Sequence, residues 1–202
     1  MSARRLVAAC VPLALAAAAI GNATGGGAVA GGPALVTVEA PGERTATGFV
    51  VSDEHVVTVA HALGTGGLQV RSADGVGRRA VVLRRNPALD LAVLLVPGLP
   101  AAPRSLAHGS VHVLLRRDGG RVAARAVVRR RLDARVRTAD GRVIARRPAL
   151  ELTAPIRAGD SGAPLVGADG RVAGVIFARS RGRAGLAYAV DASALPHLLH
   201  AR

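Results

Sequence analysis

Three kinds of side chain are almost missing from this 202-residue chain: cysteine, the aromatics and lysine. The single cysteine is Cys10, so no disulfide can form within the chain and packing alone must hold its fold together. With no tryptophan, one tyrosine and two phenylalanines, the chain lacks the aromatic platform on which nucleic-acid bases stack. It also has no nucleic-acid-binding motif, so we expect no nucleic-acid partner.

Every basic residue is arginine, and the formal net charge is +14. This excess has two interpretations. One is a loose association with anionic polymers of a cell envelope, which a cationic surface would attract. The other is a coding bias toward Arg, Ala and Gly, which the scatter of the arginine pairs favours. Arg129 to Arg131 is the only local concentration, and it is predicted to be the solvated end of a strand.

The first 30 residues have the order of parts that defines a secretory signal peptide. Arg4 and Arg5 form a short positive region, Leu6 to Ile20 is apolar, and Ala28 to Ala30 has the small-x-small form of a cleavage site. We therefore expect export, with a mature start near Gly31 and a secreted, periplasmic or cell-envelope location. An uncleaved anchor is the alternative, because Gly and Ala residues beyond Ile20 could extend the apolar segment.

Short Val-rich runs, separated by Gly, Pro and Asp, fill the rest of the chain and predict an all-β fold. A proline-rich linker at 97–103 has about six predicted strands on each side. The predicted strands are 33–40, 47–52, 56–60, 68–71, 77–83, 91–96, 111–115, 122–128, 143–152, 163–166, 172–178 and 186–190. This pattern favours a sandwich or barrels, and the tail from 191 predicts a short helix capped by Asp191.

The motif Gly-Asp-Ser-Gly-Ala-Pro at 159–164 is the strongest sign of chemistry. A serine between glycines can lie on a tight turn with its hydroxyl exposed, and small neighbours let a substrate carbonyl approach. The backbone N–H groups of Gly159 and Ser161 can then converge on an oxyanion. A polar, glycine-rich turn without function is the alternative interpretation.

A serine hydroxyl needs a general base, and His61 is the best placed of the six histidines. It ends the apolar run Thr-Val-Ala at 58–60, which suits a base held at the end of a rigid strand. Asp90 lies at the start of another apolar strand and can orient the imidazole, although an aspartate there is often only a turn residue. It completes the order His, Asp, Ser along the chain.

The segments TVAHAL, DLAVL and GDSGAPL, in that order, resemble the chymotrypsin/trypsin-like serine peptidases. TGFVV and GRVAGVIFA extend the resemblance from Val36 to about Leu195. The short spacings and the lack of disulfides are similar to the bacterial Deg/HtrA-type branch. The resemblance implies two perpendicular six-stranded antiparallel β-barrels with substrate in the cleft between them. Residues 31–103 would form the first barrel with His61 and Asp90, and 104–202 the second with Ser161 and the C-terminal helix.

The resemblance also assigns a substrate pocket. Its floor would be Pro155, six residues before the nucleophile, where an aspartate would select Arg or Lys. The further substrate-binding residues would be Ile156, Phe177, Ala178 and Arg179. We therefore expect cleavage after small or medium apolar residues, with an acidic preference as the alternative if Arg179 reaches the pocket.

Three departures from the family pattern affect the site. Ala163 stands where many relatives have a second glycine after the nucleophile. Phe177 stands where digestive enzymes have a serine that hydrogen-bonds the catalytic aspartate, so Asp90 must be oriented by other groups, such as backbone N–H groups. No activation site precedes the first strand, so we do not expect Asp160 to pair with a newly cut N-terminus.

The function predicted from the sequence is a secreted serine endopeptidase that acts on proteins or peptides. It would use His61, Asp90 and Ser161 and need no metal or other cofactor. A catalytically inert protease fold that serves as a binding module of the cell envelope is the alternative. A signal-anchored envelope protein with a cationic wall-binding role is another. The oligomeric state is left open.

Overall fold

A computed structural model describes residues 7–9, 32–42, 44–100, 111–118, 120–137 and 143–200. Strands dominate it, followed by one short C-terminal helix, α1 (Leu195–His200). The strands are β1 (Val7–Ala9), β2 (Leu35–Ala40), β3 (Arg44–Ser52), β4 (His55–Val59), β5 (Leu68–Arg71), β6 (Gly77–Asn86), β7 (Leu91–Leu95), β8 (His112–Arg117), β9 (Gly120–Arg125), β10 (Val127–Arg137), β11 (Val143–Thr153), β12 (Pro164–Val166), β13 (Val172–Arg179) and β14 (Leu186–Asp191).

The first half of the chain forms a closed six-stranded barrel in the order β2-β3-β4-β7-β6-β5. The apolar runs predicted as strands in this half form the strands of the barrel. The predicted Asp-Glu turn at 53–54 joins β3 to β4, and Glu54 has a φ of 58°. Pairing of Val59 with Leu91 brings the end of β4 beside the start of β7. This pairing puts His61 and Asp90 at the same end of the barrel.

The second half forms a barrel-like sheet in the order β1-β10-β11-β14-β13-β12-β8-β9. All its pairings are antiparallel except that of β1 with β10, which is parallel. The predicted all-β fold of two barrels with a short C-terminal helix is therefore confirmed, with the difference that the second, barrel-like sheet has eight strands and not six. As predicted, Asp191 caps the helical tail: its carboxylate accepts a hydrogen bond of 3.0 Å from the Ser193 N–H.

The largest departures from the predicted strand boundaries lie at β9 and β10. The predicted strand 122–128 is divided at Ala126 between β9 and β10. β10 then runs for 11 residues, so Arg129 to Arg131 lie inside a strand and not at its solvated end. Their side chains are exposed, so this part of the sequence lacks the alternation of apolar and polar residues by which a strand is recognised.

The two halves share one hydrophobic core cluster. It joins Val36, Phe49 and Leu94 of the first barrel to Leu114 and Val190 of the second sheet, all of them fully buried. A smaller cluster lies within the second sheet around Leu152, Leu165 and Ile176. The shared cluster fixes how the elements that carry the predicted site face one another.

Nearly all of the predicted signal peptide, residues 1–30, lies outside the described residues. Of that segment the structure describes only β1. Among the residues that the structure does describe, no helix combines the length and the apolar character that crossing a membrane requires. The limits predicted for the signal peptide and for the two halves stay predictions.

Candidate active site

His61 lies on a short 3-10 turn, Ala60–Ala62, directly after β4. The Val-rich sequence of β4 buries the strand, whereas the His61 side chain keeps about 40% of its surface exposed. A buried strand thus ends in a solvent-accessible imidazole, as the sequence predicts. Rigid support behind an accessible ring is what a proton-transferring group needs.

Asp90 is placed by the tight turn that begins at Asn86. The Asn86 Oδ1 atom accepts a hydrogen bond of 3.0 Å from the Leu89 N–H, and the Asp90 N–H donates to the Pro87 carbonyl at 3.2 Å. Asp90 adopts a left-handed conformation with φ 59°, which aspartate tolerates better than most residues. This conformation turns its side chain toward His61.

The Asp90 carboxylate holds His61 at two points. Its Oδ1 accepts the His61 backbone N–H at 2.9 Å, and its Oδ2 lies 2.7 Å from the ring atom Nδ1. Because an ionised carboxylate only accepts hydrogen bonds, Nδ1 must carry the proton in this contact. The Nε2 atom of a neutral ring is then left as the proton acceptor.

Ser161 lies on a turn that packs against the first barrel. The Thr47 N–H donates to the Ser161 carbonyl at 2.8 Å, and Gly162, with φ 91°, lies against Thr47 and Thr58. Thr58 precedes His61 by three positions, so the predicted nucleophile and base lie on facing surfaces. In the part of the chain that the structure describes, the Ser161 hydroxyl makes no hydrogen bond to His61 or to any other group. Such contacts are often open in unliganded enzymes and tighten with substrate.

The residues before Ser161 form a type II turn. The Asp160 N–H donates to the Arg157 carbonyl at 3.3 Å, and Gly159 takes the third position with φ 87°, which that turn type requires. The N–H groups of Gly159 and Ser161 donate to no other group of the described chain. Both are therefore available to an incoming oxygen.

Asp160 is buried beneath this turn and pairs with Arg117 of β8. Two hydrogen bonds join the guanidinium to the carboxylate, one of them 2.6 Å from Nη2 to Oδ2, and the Arg157 N–H adds a third at 2.6 Å. Hydrogen bonding to Asp160 raises the pKa of Arg117 above its ordinary value. Arg117, an arginine of the same chain, thus neutralises the negative charge of Asp160.

Arg147 of β11 is a site residue that the sequence reasoning missed. It is only 2% exposed; its Nη1 lies 3.3 Å from Asp90 Oδ2, and its guanidinium lies 5.0 Å from the centre of the Phe177 ring. No local signal in the sequence marked this burial. In a strand, Arg147 shares a face with Ala149 and the charged Glu151, and the structure buries Arg147 together with both of them.

The predicted substrate-binding residues lie on both sides of the Ser161 turn. Pro155 and Arg179 are exposed, while Ile156 and Ala178 are half-buried. Phe177 is buried, with its ring directed toward Arg147 and Tyr188. A cavity of about 170 Å³ lies next to the Arg117–Asp160 pair, is lined in part by Gly159, and includes none of the predicted pocket residues. Its lining residues are Thr37, Thr45, Ala46, Thr47, Arg116, Arg117, Ala158, Gly159 and Asp160.

A closed barrel joined to a second, barrel-like sheet, with a histidine–aspartate pair facing a serine turn, defines the class of trypsin-like peptidases. Residues 46–175 match the family model of the trypsin-like peptidase domain, and the chain belongs to this family.

Named relatives support the assignment. The serine protease Rv3671c of Mycobacterium tuberculosis is 34% identical in an alignment of 141 residues that covers 65% of this chain and 35% of the relative. The chain thus matches about a third of the length of that protein.

Solved structures give the same result. The crystal structure of the active form of the Rv3671c protease aligns with a TM-score of 0.71 at 30% identity, covering 83% of this chain and 79% of that one. The MamO protease domain of Magnetospirillum magneticum aligns with a TM-score of 0.64 at 22% identity, covering 81% of this chain and 94% of that one. At that identity, the second alignment supports the fold alone.

Proposed function

We propose that the chain is a serine endopeptidase that cleaves peptide bonds through an acyl-enzyme on Ser161. His61 is the general base, and Asp90 is the carboxylate that orients it. The observation that carries the proposal is the two-point contact of Asp90 with His61, at 2.9 Å and 2.7 Å, beside the turn that holds Ser161. Membership of the trypsin-like peptidase family makes proteins or peptides the substrates.

The arrangement suits a two-step acyl transfer. The Nε2 atom of His61 takes the proton of the Ser161 hydroxyl as its oxygen bonds to the substrate carbonyl carbon. The N–H groups of Gly159 and Ser161 stabilise the resulting oxyanion. The imidazolium, which Asp90 stabilises, then gives its proton to the departing amine as the carbon–nitrogen bond breaks. Water repeats the sequence on the acyl-enzyme and releases Ser161.

A fluorophosphonate probe tests the proposed nucleophile. The parent chain should be labelled and should hydrolyse peptides, whereas Ser161→Ala, which removes only the hydroxyl, should lose both activities and keep its fold. Ser52→Ala, at an exposed serine of β3, is the matched control and should behave as the parent. A folded parent that is neither labelled nor active would favour the inert binding module, and labelling that survives Ser161→Ala would reject Ser161.

We propose that cleavage follows small or medium apolar residues. Two buried carboxylates in the second half of the chain are engaged by arginines, Asp160 by Arg117 and Glu151 by Arg130, so neither is left for a basic substrate side chain. An apolar pocket discriminates by only about 1–3 kcal/mol per methylene, so the preference should be broad. Mass spectrometry of a digested peptide library measures it. Cleavage mainly after Arg or Lys would reject this specificity without affecting the triad.

We also propose that residues 1–30 are a signal peptide that exports the protein, with a mature start near Gly31. Support comes from the order of the positive, apolar and small-residue segments in the sequence. N-terminal sequencing of protein recovered from outside the cytoplasm tests this proposal. A chain that keeps Met1 and is found only in the cytoplasm would contradict it, and an exported chain that keeps its apolar segment would indicate an anchor.

A further inference from the structure

Arg147 is buried in a setting that does not satisfy its hydrogen-bonding groups. Its Nε and Nη1 atoms are buried and have no hydrogen-bond partner among the described residues. The 3.3 Å separation of Nη1 from Asp90 Oδ2 is nevertheless within ion-pair range. The contact is therefore an attraction between charges and not a directed hydrogen bond. A guanidinium can be buried at low cost only beside an opposite charge, and Asp90 provides it.

The neighbouring carboxylates do not neutralise Arg147, because each of them pairs with another arginine. Glu151, four positions along β11, pairs with Arg130, and Asp191 of β14 pairs with Arg131. Asp90 is thus the only carboxylate in contact with Arg147 in the described chain. The charged or titratable groups in contact with Asp90 are the His61 imidazole and the Arg147 guanidinium. Arg85 of β6 lies nearby, where its guanidinium donates to the Ala60 carbonyl at 2.8 Å.

The Phe177 ring explains why an arginine is needed here. Phenylalanine has no hydroxyl that could donate a hydrogen bond to Asp90. The centre of its ring lies 5.0 Å from the Arg147 guanidinium, and the face of the ring stabilises this flat cation. Arg147 belongs to the second sheet and Asp90 to the first barrel, so their contact joins the two halves directly behind His61.

We propose that Arg147 is a positioning residue of the triad, which holds Asp90 in place and moderates the negative charge that Asp90 presents to His61. The inference rests on the proposed peptidase function and deepens it. A positive charge beside Asp90 weakens the attraction between that carboxylate and an imidazolium. Without Arg147, the full negative charge of Asp90 faces His61, and the contact that ties the carboxylate to the second sheet is lost.

The pH dependence of kcat/KM for a peptide substrate tests the role of the charge. Arg147→Met, which removes the charge and keeps the length, should lower kcat/KM about tenfold at neutral pH. It should also move the pH dependence of kcat/KM toward higher pH, because the positive charge that faces the Asp90–His61 pair is gone. Arg147→Lys keeps the charge, so it should keep the parent's pH dependence while losing part of the rate. Arg146→Met, at the exposed neighbour, is the control and should match the parent in both.

An Arg147→Met protein with the parent's rate and pH profile would overturn the proposal. Fluorophosphonate labelling of the same samples separates this failure from failure of the peptidase function, because only the latter abolishes labelling of the parent. The melting temperatures of Asp90→Asn, Arg147→Met and the double variant test the proposal even if Arg147→Met is too unstable for kinetics. If the two charges support each other, the double variant should melt higher than the sum of the single losses predicts. Additive losses would overturn the proposal.

Discussion

Gly162 sets how closely the Ser161 turn approaches the first barrel. A Cβ atom at this position would lie 1.9 Å from the Thr47 carbonyl oxygen and 2.8 Å from the Thr58 hydroxyl. The backbone φ of 91° would strain any other residue as well. The Thr58 hydroxyl also donates to the Thr47 carbonyl at 2.8 Å, so the neighbours are fixed and cannot move aside.

We therefore expect Gly162→Ala to separate Ser161 from His61. It should abolish measurable peptide hydrolysis and destabilise the fold by about 2–4 kcal/mol, the sum of backbone strain and overpacking. Chemical denaturation and a peptidase assay measure the two effects. Gly182→Ala is the matched control, since a Cβ there meets nothing within 4 Å, and it should be neutral in both assays. An active, fully stable Gly162→Ala protein would refute the described packing of the turn.

At the level of secondary-structure elements, β8 supports the turn that precedes Ser161. Arg117, the last residue of β8, makes its hydrogen-bonded pair with Asp160 directly under Gly159. Asp160 is only 2% exposed, so loss of its partner would leave a buried charge. Because Asp160 raises the pKa of Arg117, the arginine keeps its charge at every pH below its ordinary pKa, and its contribution is lost only in strong alkali.

Arg117→Met should destabilise the fold by about 3 kcal/mol and lower kcat at least tenfold, because the turn that presents the Gly159 N–H loses its support. KM should change less, since Arg117 lies beneath the turn. Steady-state kinetics and denaturation provide the measurements. Arg125→Met, at an exposed arginine that ends β9, is the control. Unchanged kcat in a folded Arg117→Met protein would show that β8 does not support the site.

The strands and site residues that could be predicted from the sequence are those with a strong local signal. Val-rich runs such as 55–59 and 91–95 form strands because they bury their side chains, and their neighbours His61 and Asp90 meet through the pairing of Val59 with Leu91. β10 could not be predicted in full, since its arginine-rich middle is exposed and is held by backbone pairing with β11 and by ion pairs of Arg130 and Arg131 with acids distant in sequence. Arg147 was missed because partners distant in sequence determine whether a charged side chain is buried.

At the scale of the whole molecule, the shared core cluster couples the two halves. Leu114 and Val190 of the second sheet belong to the same packed group as Val36 and Leu94 of the first barrel. One contiguous core favours cooperative unfolding, because neither half can open without exposing apolar surface of the other.

We expect a single unfolding transition in urea. Tyr188, the only tyrosine in a chain without tryptophan, reports on the second sheet by its fluorescence, whereas circular dichroism reports on all strands. The two signals should have the same midpoint, and peptidase activity should be lost together with them. Tyrosine fluorescence that changes at a clearly different urea concentration from circular dichroism would indicate that the halves unfold separately.

The Ser161 turn also has a consequence for how the protein is made. Synthesis delivers the His61–Asp90 pair well before Ser161, and the turn closes only when the Gly162 N–H can donate to the Ile176 carbonyl, at 2.7 Å in the finished fold. The strand that carries Ile176 pairs in turn with β14, close to the C-terminal helix. A growing chain therefore cannot complete the turn of the proposed nucleophile until β13 has been synthesised, so the first barrel, with His61 and Asp90, can exist for a time without a complete site.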